Sequence, residues 1–370
     1  MTGISSSGWA FSFGDERERE ALAKIARARA TPSKFRDERI TMAHGAGGKA
    51  TATLVRGLIA PLLSSPTLTP LDDAGIIDVG DLSLAITTDS FVVRPLRFPG
   101  GSIGELAVNG TVNDLAMVGA QPLALTLSLV LEEGLDAQTL RAEIETIART
   151  CRTAEVSVAA GDTKVVERGH ADGMYICTTG VGRRDPRAHL SPSSLRPGDR
   201  VIVSGSIGEH GMAIMLARGE FELDSEILSD TRSLWPAANA LLSLGDRLRC
   251  MRDATRGGVA TVLNELAIAS SVTVIVDEDR VPIIAEVGGA CELLGIDPMY
   301  VANEGKFVAV VSPDAADEAI ALLRAVPGCE SSSIIGDVTA DPTGMVLVNT
   351  AFGGRRVMDM LVGDPLPRIC

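Results

Sequence analysis

The sequence has little positive charge and few aromatic side chains. Its 370 residues include 34 Lys and Arg against 48 Asp and Glu, so the formal net charge at pH 7 is −14. Because proteins bind nucleic acids by neutralising phosphates with basic side chains, this balance argues against a nucleic-acid partner. Aromatic residues make up only 3%, yet 45% of the residues are hydrophobic and 38 are glycine, which is the composition of a globular protein.

Long hydrophobic runs are also absent. The longest, near residues 122–131, ends at Glu132 and Glu133 and has about half the residues that a membrane-spanning helix needs. The first residues show no positively charged segment followed by an apolar one, and residues 15–20 alternate in charge, unlike a targeting peptide. We therefore expect a cytoplasmic protein without a membrane partner.

Cysteine is sparse, and no two cysteines form a C-x-x-C pair. The six are spread at positions 151, 177, 250, 291, 329 and 370, which is typical of reduced thiols rather than of a disulfide framework. Five are interpreted as small core residues. The sixth, Cys370, is the last residue, so burying its thiol would also carry a free carboxylate inward.

Two familiar nucleotide-binding spacings are missing. The segment HGAGGK at 44–49 lacks the G-x-x-x-x-G-K-[ST] spacing of a Walker A loop, although its backbone amides could close over phosphates with Lys49 as a mobile charge. An ordinary loop is the alternative. The segment PGGSIG at 99–104 lacks the dinucleotide G-x-G-x-x-G spacing and is interpreted as a turn with Ser102 near a helix cap, so a Rossmann cofactor site is disfavoured.

The pattern of apolar segments predicts a two-domain α/β protein. The stretch 185–200, with three prolines and many polar residues, has the composition of a linker. We predict an N-terminal extension at 1–39 with a short charged helix at 21–30, a first domain at 40–184, a second at 185–355 and a mobile tail at 356–370. The predicted strands are at 84–88, 123–131, 156–160, 174–181, 200–204, 272–276, 306–311, 334–338 and 346–349, and the predicted helices at 104–118, 136–151, 211–217, 234–244, 257–268 and 314–325.

Acidic residues adjoin Gly, Thr or Asn at five places. Such oxygen-rich motifs suit Mg²⁺, which prefers a few carboxylates together with phosphate oxygens and water, but they are also typical of turns and helix N-caps. Asp89 and Asp162 stand out because each is predicted to follow an apolar strand, where α/β sheets place ligand-binding groups. The five motifs are LDDAG at 71–75, TTDS at 87–90, VNDL at 112–115, GDTK at 161–164 and RDATRGG at 252–258.

Lys164 and Glu304 are further candidates. Lys164 follows Asp162 and Thr163 directly and could neutralise a transferring phosphate, or form only a surface salt bridge. Glu304, in NEGK at 303–306, could act as a base or hold a substrate amide; by spacing alone it is a loop residue.

The most unusual segment is the end of the chain, GDPLPRIC at 363–370. Pro365 and Pro367 keep it out of a helix or a sheet interior and favour an extended, solvated segment. Its last seven residues would reach about 20 Å, enough to carry the Cys370 thiol from an internal site to a partner; a disordered end with an incidental cysteine is the alternative. Since Arg368 and the terminal carboxylate flank the thiol with opposite charges, we predict no extreme pKa for it.

Eight segments, in order along the chain, resemble the HypE family of hydrogenase maturation proteins. They are AHGAGGK at 43–49, TTDSF at 87–91, FPGG at 98–101, VNDLA at 112–116, GDTKVVERG at 161–169, DATRGG at 253–258, ANEGK at 302–306 and PRIC at 367–370. The terminal PRIC is the specific part, because the other motifs are similar to those of aminoimidazole ribonucleotide synthetase and selenophosphate synthetase. The resemblance implies an ATP-binding fold of two α/β domains, paired into a homodimer through strands of the N-terminal domains.

The resemblance also implies site residues. Asp89, Asp114 and Asp253, together with Asp73, would hold Mg²⁺ and ATP. The nucleotide would also face residues of two of the motifs above, namely Asn113, Gly161, Asp162, Thr163 and Lys164.

The implied reaction takes place on Cys370. A carbamoyltransferase, HypF, would load the thiol with a carboxamide, ATP would phosphorylate the carbamoyl oxygen, and a base would remove the amide protons to leave an S-cyanide. Cys370, Lys164 and Glu304 are the candidate catalytic residues. A HypC–HypD complex would receive the cyanide for the iron of a nickel-iron hydrogenase.

Other functions stay open at this point. A selenophosphate synthetase-like kinase shares the acidic phosphate site, but such enzymes resemble one another in a Cys or selenocysteine on the N-terminal Gly-rich segment, and no cysteine precedes Cys151 here. A ligase like aminoimidazole ribonucleotide synthetase would need no terminal thiol. A non-catalytic nucleotide-binding module is the third alternative, although a lone cysteine without a nearby His makes a poor metal site.

Overall fold

The computed structural model describes residues 20, 22, 24–25, 34–63, 65–68, 71–219, 226–363 and 368–370. Two predictions lie wholly or largely outside these ranges, namely the prolines of the tail and the charged helix at 21–30. Within the described ranges, no helix is both long and apolar enough to cross a membrane.

The first half of the chain alternates strands and helices. After a 3₁₀ turn, Met42–Gly45, its elements are α1 (Lys49–Leu54, continued by a π-helical segment, Val55–Ile59, and by Ala60–Leu62), β1 (Gly75–Val79), β2 (Leu82–Phe91), β3 (Arg97–Phe98), β4 (Gly101–Ser102), α2 (Ile103–Met117), β5 (Ala120–Glu132), α3 (Ala137–Thr153), β6 (Ser157–Val166) and β7 (Met174–Arg184).

The second half continues in the same way. Its elements are β8 (Arg200–Val203), α4 (Glu209–Ala217), α5 (Trp235–Leu241), β9 (Leu248–Asp253), α6 (Gly258–Ser270), β10 (Thr273–Asp277), α7 (Ala285–Leu294), β11 (Phe307–Val311), α8 (Ala316–Arg324), β12 (Ser333–Thr339), β13 (Met345–Asn349) and β14 (Arg355–Met358). Short 3₁₀ helices lie at Leu242–Arg247, Glu278–Arg280, Pro298–Tyr300 and Pro313–Ala315. The predicted α/β class is confirmed.

Each half builds one large sheet. The first has the order β1-β2-β7-β5-β6, and all its pairs are antiparallel except β5 with β6. Along β7 buried and half-buried residues alternate, as expected for a strand with one face on a core. The second sheet has the order β14-β13-β10-β12-β8-β11-β9.

Helix α2 joins the two halves. Thirteen of its 15 residues are buried, because it packs on β2 and β7 on one side and on β9 and α5 on the other. Ser102 stands at its N-cap without a side-chain cap bond. Instead, the buried Glu143 of α3 accepts a hydrogen bond from Gly104 N at 3.1 Å, which satisfies one of the free amides at the start of the helix.

Several elements differ from the predicted ones. Strand β6 runs through residues 161–164 to Val166, so Asp162 lies inside the strand rather than after it. Strands β1, β9 and β14 and helix α7 were not predicted. The proposed tail from residue 356 begins within β14, which pairs with β13. Of the five cysteines assigned to the core, four are buried, and Cys177 is half-buried.

Candidate active site

Three carboxylates from three elements meet beside α2. Asp73 lies in the loop before β1, Asp114 on α2 and Asp253 at the end of β9. One oxygen from each lies within 4.8 Å of the other two. The contact between α2 and β9 brings the last two together, and the Thr87 hydroxyl fixes Asp114 by donating to Oδ2 at 2.7 Å.

Asp89, on β2, borders these three. Burial raises the pKa of Asp89, opposed by the Arg256 guanidinium and by a hydrogen bond with the Asp114 carboxyl. The structure thus gathers the four aspartates that were predicted as metal-binding residues. We call Asp73, Asp89, Asp114 and Asp253 the carboxylate cluster.

The carboxylate cluster resists full ionisation. Burial, followed by the charge of Asp89, raises the pKa of Asp114 well above its ordinary value. Burial likewise raises the pKa of Asp73 well above that value, and burial with the charge of Asp89 raises the pKa of Asp253 to about 6. Among the described residues, Oδ2 of Asp73 is buried without a hydrogen-bond partner. Closely spaced carboxylate oxygens, one of them unpartnered, fit a divalent cation such as Mg²⁺.

A half-buried arginine holds one side of the cluster. Arg252 Nε lies 3.2 Å from Asp73 Oδ1, and its guanidinium also contacts Asp72 at 3.7 Å and Glu265 at 3.2 Å. Arg252 belongs to β9, which the sequence pattern did not reveal. Its position leaves Asp73 with one paired oxygen and one oxygen free for a ligand.

A cavity of about 310 Å³ opens next to Arg252. Two arginines, Arg56 and Arg252, line it together with Gly47 and Gly48 of the Gly-rich loop. Its volume lies at the lower end of the range for small-molecule sites. Cationic side chains and backbone amides are groups that bind phosphates.

The Gly-rich loop is packed against the segment that follows Asp253. Gly47 has a φ of +75°, and a Cβ atom there would lie 2.7 Å from Arg256 Cβ. Arg256 also donates to Gly45 O at 3.1 Å. Lys49, predicted as a mobile charge over phosphates, instead pairs with Asp359 at 2.6 Å.

The end of the chain is docked beside this site. Val92 N, just after β2, donates to Cys370 O at 3.2 Å, and Arg94 N donates to Arg368 O at 3.3 Å. Ile369 packs into the core beneath the first sheet. The predicted solvated segment is thus wrong for the last two residues, which are both buried, because main-chain pairing and the Ile369 side chain hold them in place.

The thiol of Cys370 faces charged residues of the site. Burial raises its pKa to about 12, and the charge of Arg256 opposes this rise, while Glu304, Asp89 and Asp253 add to it. The prediction of no extreme pKa considered only the flanking charges, whereas burial is the largest cause of the shift. Cys370 therefore lies within electrostatic reach of the carboxylate cluster.

Glu304 is buried in the loop before β11. Burial, then the charge of Asp253, raises its pKa well above its ordinary value, and its Oε1 has no hydrogen-bond partner among the described residues. The buried carboxylate of Asp230 shapes the loop by accepting from Glu304 N at 3.0 Å, Gly305 N at 3.2 Å and Lys306 Nζ at 3.1 Å.

Asn113 of α2 supports the same loop. Its Nδ2 donates to Glu304 O at 3.3 Å and to Arg232 O at 3.0 Å, and its Oδ1 accepts from Leu234 N at 2.7 Å. These bonds occupy the amide that was predicted to face a nucleotide. In this structure Asn113 connects α2 to the main chain at Glu304.

The GDTK motif lies elsewhere. Gly161, Asp162, Thr163 and Lys164 are exposed on the edge strand β6, and Lys164 Nζ pairs with Asp162 at 2.6 Å. Two strands separate β6 from β2, so the sheet places Asp162 about 14 Å from the strand of Asp89, taking about 4.8 Å for each strand spacing. A single chain does not bring Lys164 to Glu304 and Cys370.

Comparisons with known proteins agree with this architecture. Residues 71–184 match the family model "AIR synthase related protein, N-terminal domain", and residues 196–349 match the corresponding C-terminal domain. A carbamoyl dehydratase HypE from Rhizobium leguminosarum bv. viciae is 45% identical over 333 residues, which are 90% of this chain and 95% of that protein. The chain belongs to the HypE family.

Solved structures of HypE proteins have the same fold. One, from a HypE–HypF complex, superposes with a TM-score of 0.79 at 40% identity, covering 83% of this chain and 99% of that one. Another, of HypE in complex with ATP, gives a TM-score of 0.75 at 40% identity. It covers 90% of this chain and 100% of that one. The chain is accordingly an enzyme of the AIR synthase type of fold.

The sequence motifs of the HypE family did not mark every residue of the site. Arg256 lies inside the quoted DATRGG motif, where its charge could have been noticed. Asp230 and His210 lie outside every quoted motif, and only the three-dimensional structure brings them to the loop of Glu304 and to the chain terminus.

Proposed function

We propose that the protein converts an S-carboxamide on Cys370 into an S-cyanide at the expense of ATP, and that the cyanide becomes a ligand of iron in a nickel-iron hydrogenase. The observation that carries the proposal is the position of the Cys370 thiol, buried among Arg256, Glu304 and the carboxylate cluster. Support also comes from the relatives named carbamoyl dehydratase and from the HypE solved with ATP.

The carboxylate cluster and the neighbouring cavity would form the nucleotide site. Asp73, Asp89, Asp114 and Asp253 would hold Mg²⁺, which when bound neutralises phosphate and carboxylate charge. Arg56, Arg252 and the amides of Gly47 and Gly48 would contact the nucleotide from the cavity. Transfer of a phosphoryl group to the carboxamide oxygen turns that oxygen into a good leaving group.

Glu304 is the proposed base. Burial raises the pKa of its carboxyl, and a carboxylate with a raised pKa is a stronger proton acceptor. Removal of the amide protons as phosphate departs leaves a carbon–nitrogen triple bond on the sulfur. Arg256, close to the thiol, would stabilise negative charge that develops on the transferring group.

The GDTK motif would act across a homodimer, through Gly161, Asp162, Thr163 and Lys164. Edge strands with free amides and carbonyls tend to pair with another strand, and nine of the ten residues of β6 are exposed in the single chain. Pairing of two copies through this sheet would bring the GDTK motif of one copy towards the site of the other.

The proposed partners are a carbamoyltransferase like the HypF found with a relative and a HypC–HypD complex that receives the cyanide, all in the cytoplasm. The test is intact-protein mass spectrometry after incubation with the carbamoyltransferase, carbamoyl phosphate and Mg²⁺-ATP. We expect a gain of about 43 Da that falls to about 25 Da, as the covalent chemistry of a modified thiol requires, and no gain in Cys370→Ala. An equal gain in the variant, or ATP hydrolysis without any gain, would refute the proposal.

A further inference from the structure

His210, in the first turn of α4, is completely buried and takes no part in the proposed reaction. Its Nε2 lies 2.6 Å from the carbonyl oxygen of Ile369, and its Nδ1 lies 2.8 Å from Ser229 Oγ. The ring of Phe98 packs edge-on against it, with ring centroids 5.6 Å apart. His210 thus connects the body of the protein to the residue before Cys370.

The partners of His210 define where its hydrogen lies. A carbonyl oxygen can only accept, so Nε2 carries the hydrogen and donates it to Ile369 O. Nδ1 then accepts from the Ser229 hydroxyl, whose oxygen accepts from Thr231 N at 3.2 Å. Burial lowers the pKa of His210, which favours this neutral form. Both ring nitrogens are satisfied, and the ring has one orientation.

The other side-chain contacts of the docked terminus are more exposed. Arg218 donates to Arg368 O at 2.7 Å from the surface, and Arg368 forms an exposed ion pair with Asp172. Water and salt compete with such contacts, so each contributes little. A buried hydrogen bond to a carbonyl matters more, because its loss leaves a buried acceptor without a partner.

We propose that His210 is a positioning residue that holds the chain terminus in the site, so that the Cys370 sulfur lies beside Glu304. This inference rests on the proposed function for its role in the reaction, but the docking itself does not. Because His210 contacts the main chain of Ile369 and not the sulfur, the same contact is available to the free thiol, the carboxamide and the S-cyanide.

The docking is tested by alkylating the full-length protein with iodoacetamide and measuring, by peptide mass spectrometry, the rate at Cys370 relative to that at the half-buried Cys177. Loss of one buried hydrogen bond predicts a rise of about tenfold in this ratio for His210→Phe. His210→Gln has an amide that can still donate, so its alkylation ratio should be close to that of the wild type. His189→Phe, at an exposed histidine, should leave it unchanged.

An unchanged ratio in a folded His210→Phe protein, checked by thermal melting, overturns the proposal. Should that variant not fold, Ser229→Ala decides, since it removes the group that orients the ring: a higher ratio supports the proposal and an unchanged one overturns it.

Turnover is measured separately. Single-turnover dehydration should fall in His210→Phe while loading by the carbamoyltransferase is maintained; a failure of the proposed function would abolish this difference but leave the alkylation result standing.

Discussion

The docked position of Cys370 disfavours the thiolate form of its side chain. Its pKa of about 12 keeps it protonated at neutral pH while it is docked, and only a thiolate attacks efficiently. In the proposed reaction we therefore expect the terminus to leave the site for loading by a carbamoyl donor and to return to it for dehydration. A loaded sulfur would no longer ionise, so the proposed carboxamide would enter the buried site without that penalty.

Docking of the terminus should weaken as pH rises above 9. The thiol pKa goes from its ordinary value of 9.0 to about 12 on docking, so the docked form binds its proton more tightly. The equilibrium constant for docking is unaffected by this group below pH 9. Above pH 9 it falls by up to about tenfold per pH unit. The methyl NMR signals of the buried Ile369 measure the docked population. Cys370→Ser is the control, because a hydroxyl does not titrate in this range; equal pH dependence in both proteins would contradict this explanation.

Replacing Glu304 by Gln should abolish most dehydration while sparing the loading of Cys370. A general base contributes about 100- to 10,000-fold to a rate, so the loss should fall in that range. Mass spectrometry would show the carboxamide form accumulating in the presence of ATP. Glu145→Gln, at an exposed position on α3, is the matched control. Normal conversion in Glu304→Gln would assign the base to another group.

The sequence predicted the carboxylate cluster better than its surroundings. Asp73, Asp89, Asp114 and Asp253 lie in recognisable motifs, and all four come together. Arg252 and His210 were not predicted, because their roles depend on contacts between residues far apart in the chain. The docked thiol also escaped prediction, since the terminus is held by main-chain bonds to Val92 and Arg94, residues far away in the sequence.

Among the secondary-structure elements, the predictions worked where periodicity was strong. Helices α2 and α3 and strands β5 and β7 match their predicted ranges within about three residues, a normal error for boundaries. Strand β9 is short and carries Arg252 and Asp253, so its apolar pattern is interrupted. Strand β6 was predicted to stop at a glycine, but Gly161 continues the ladder with Leu127.

The Gly-rich loop should tolerate no side chain at residue 47. Gly47→Ala combines a left-handed backbone, which costs about 1–2 kcal/mol for a residue with a Cβ atom, with a clash against the main chain of Arg256. We expect a loss of stability of that size and weaker ATP binding, measured by thermal melting and calorimetry. Gly45→Ala, in the same loop with open space around it, should change neither quantity. Equal effects of the two variants would argue against this packing.

In the whole molecule, α2 ties the carboxylates of the first sheet to Asp253 and Glu304 of the second half. This arrangement brings together residues that the family motifs in both halves of the chain marked as candidates for one site. The GDTK motif does not fit the same explanation, because β6 lies at the far edge of the first sheet. A second copy of the chain is the simplest source of Lys164 for each site.

Mixing two inactive variants tests this arrangement. Lys164→Ala and Cys370→Ala should each be unable to produce the S-cyanide, and light scattering should show both as dimers. Random reassembly makes about half of the dimers mixed. If Lys164 acts across the dimer, each mixed dimer has one complete site out of two. About a quarter of wild-type activity should then return. If Lys164 acts within its own chain, no mixed dimer contains a complete site, and activity stays absent. A monomeric wild-type protein would exclude the shared site altogether.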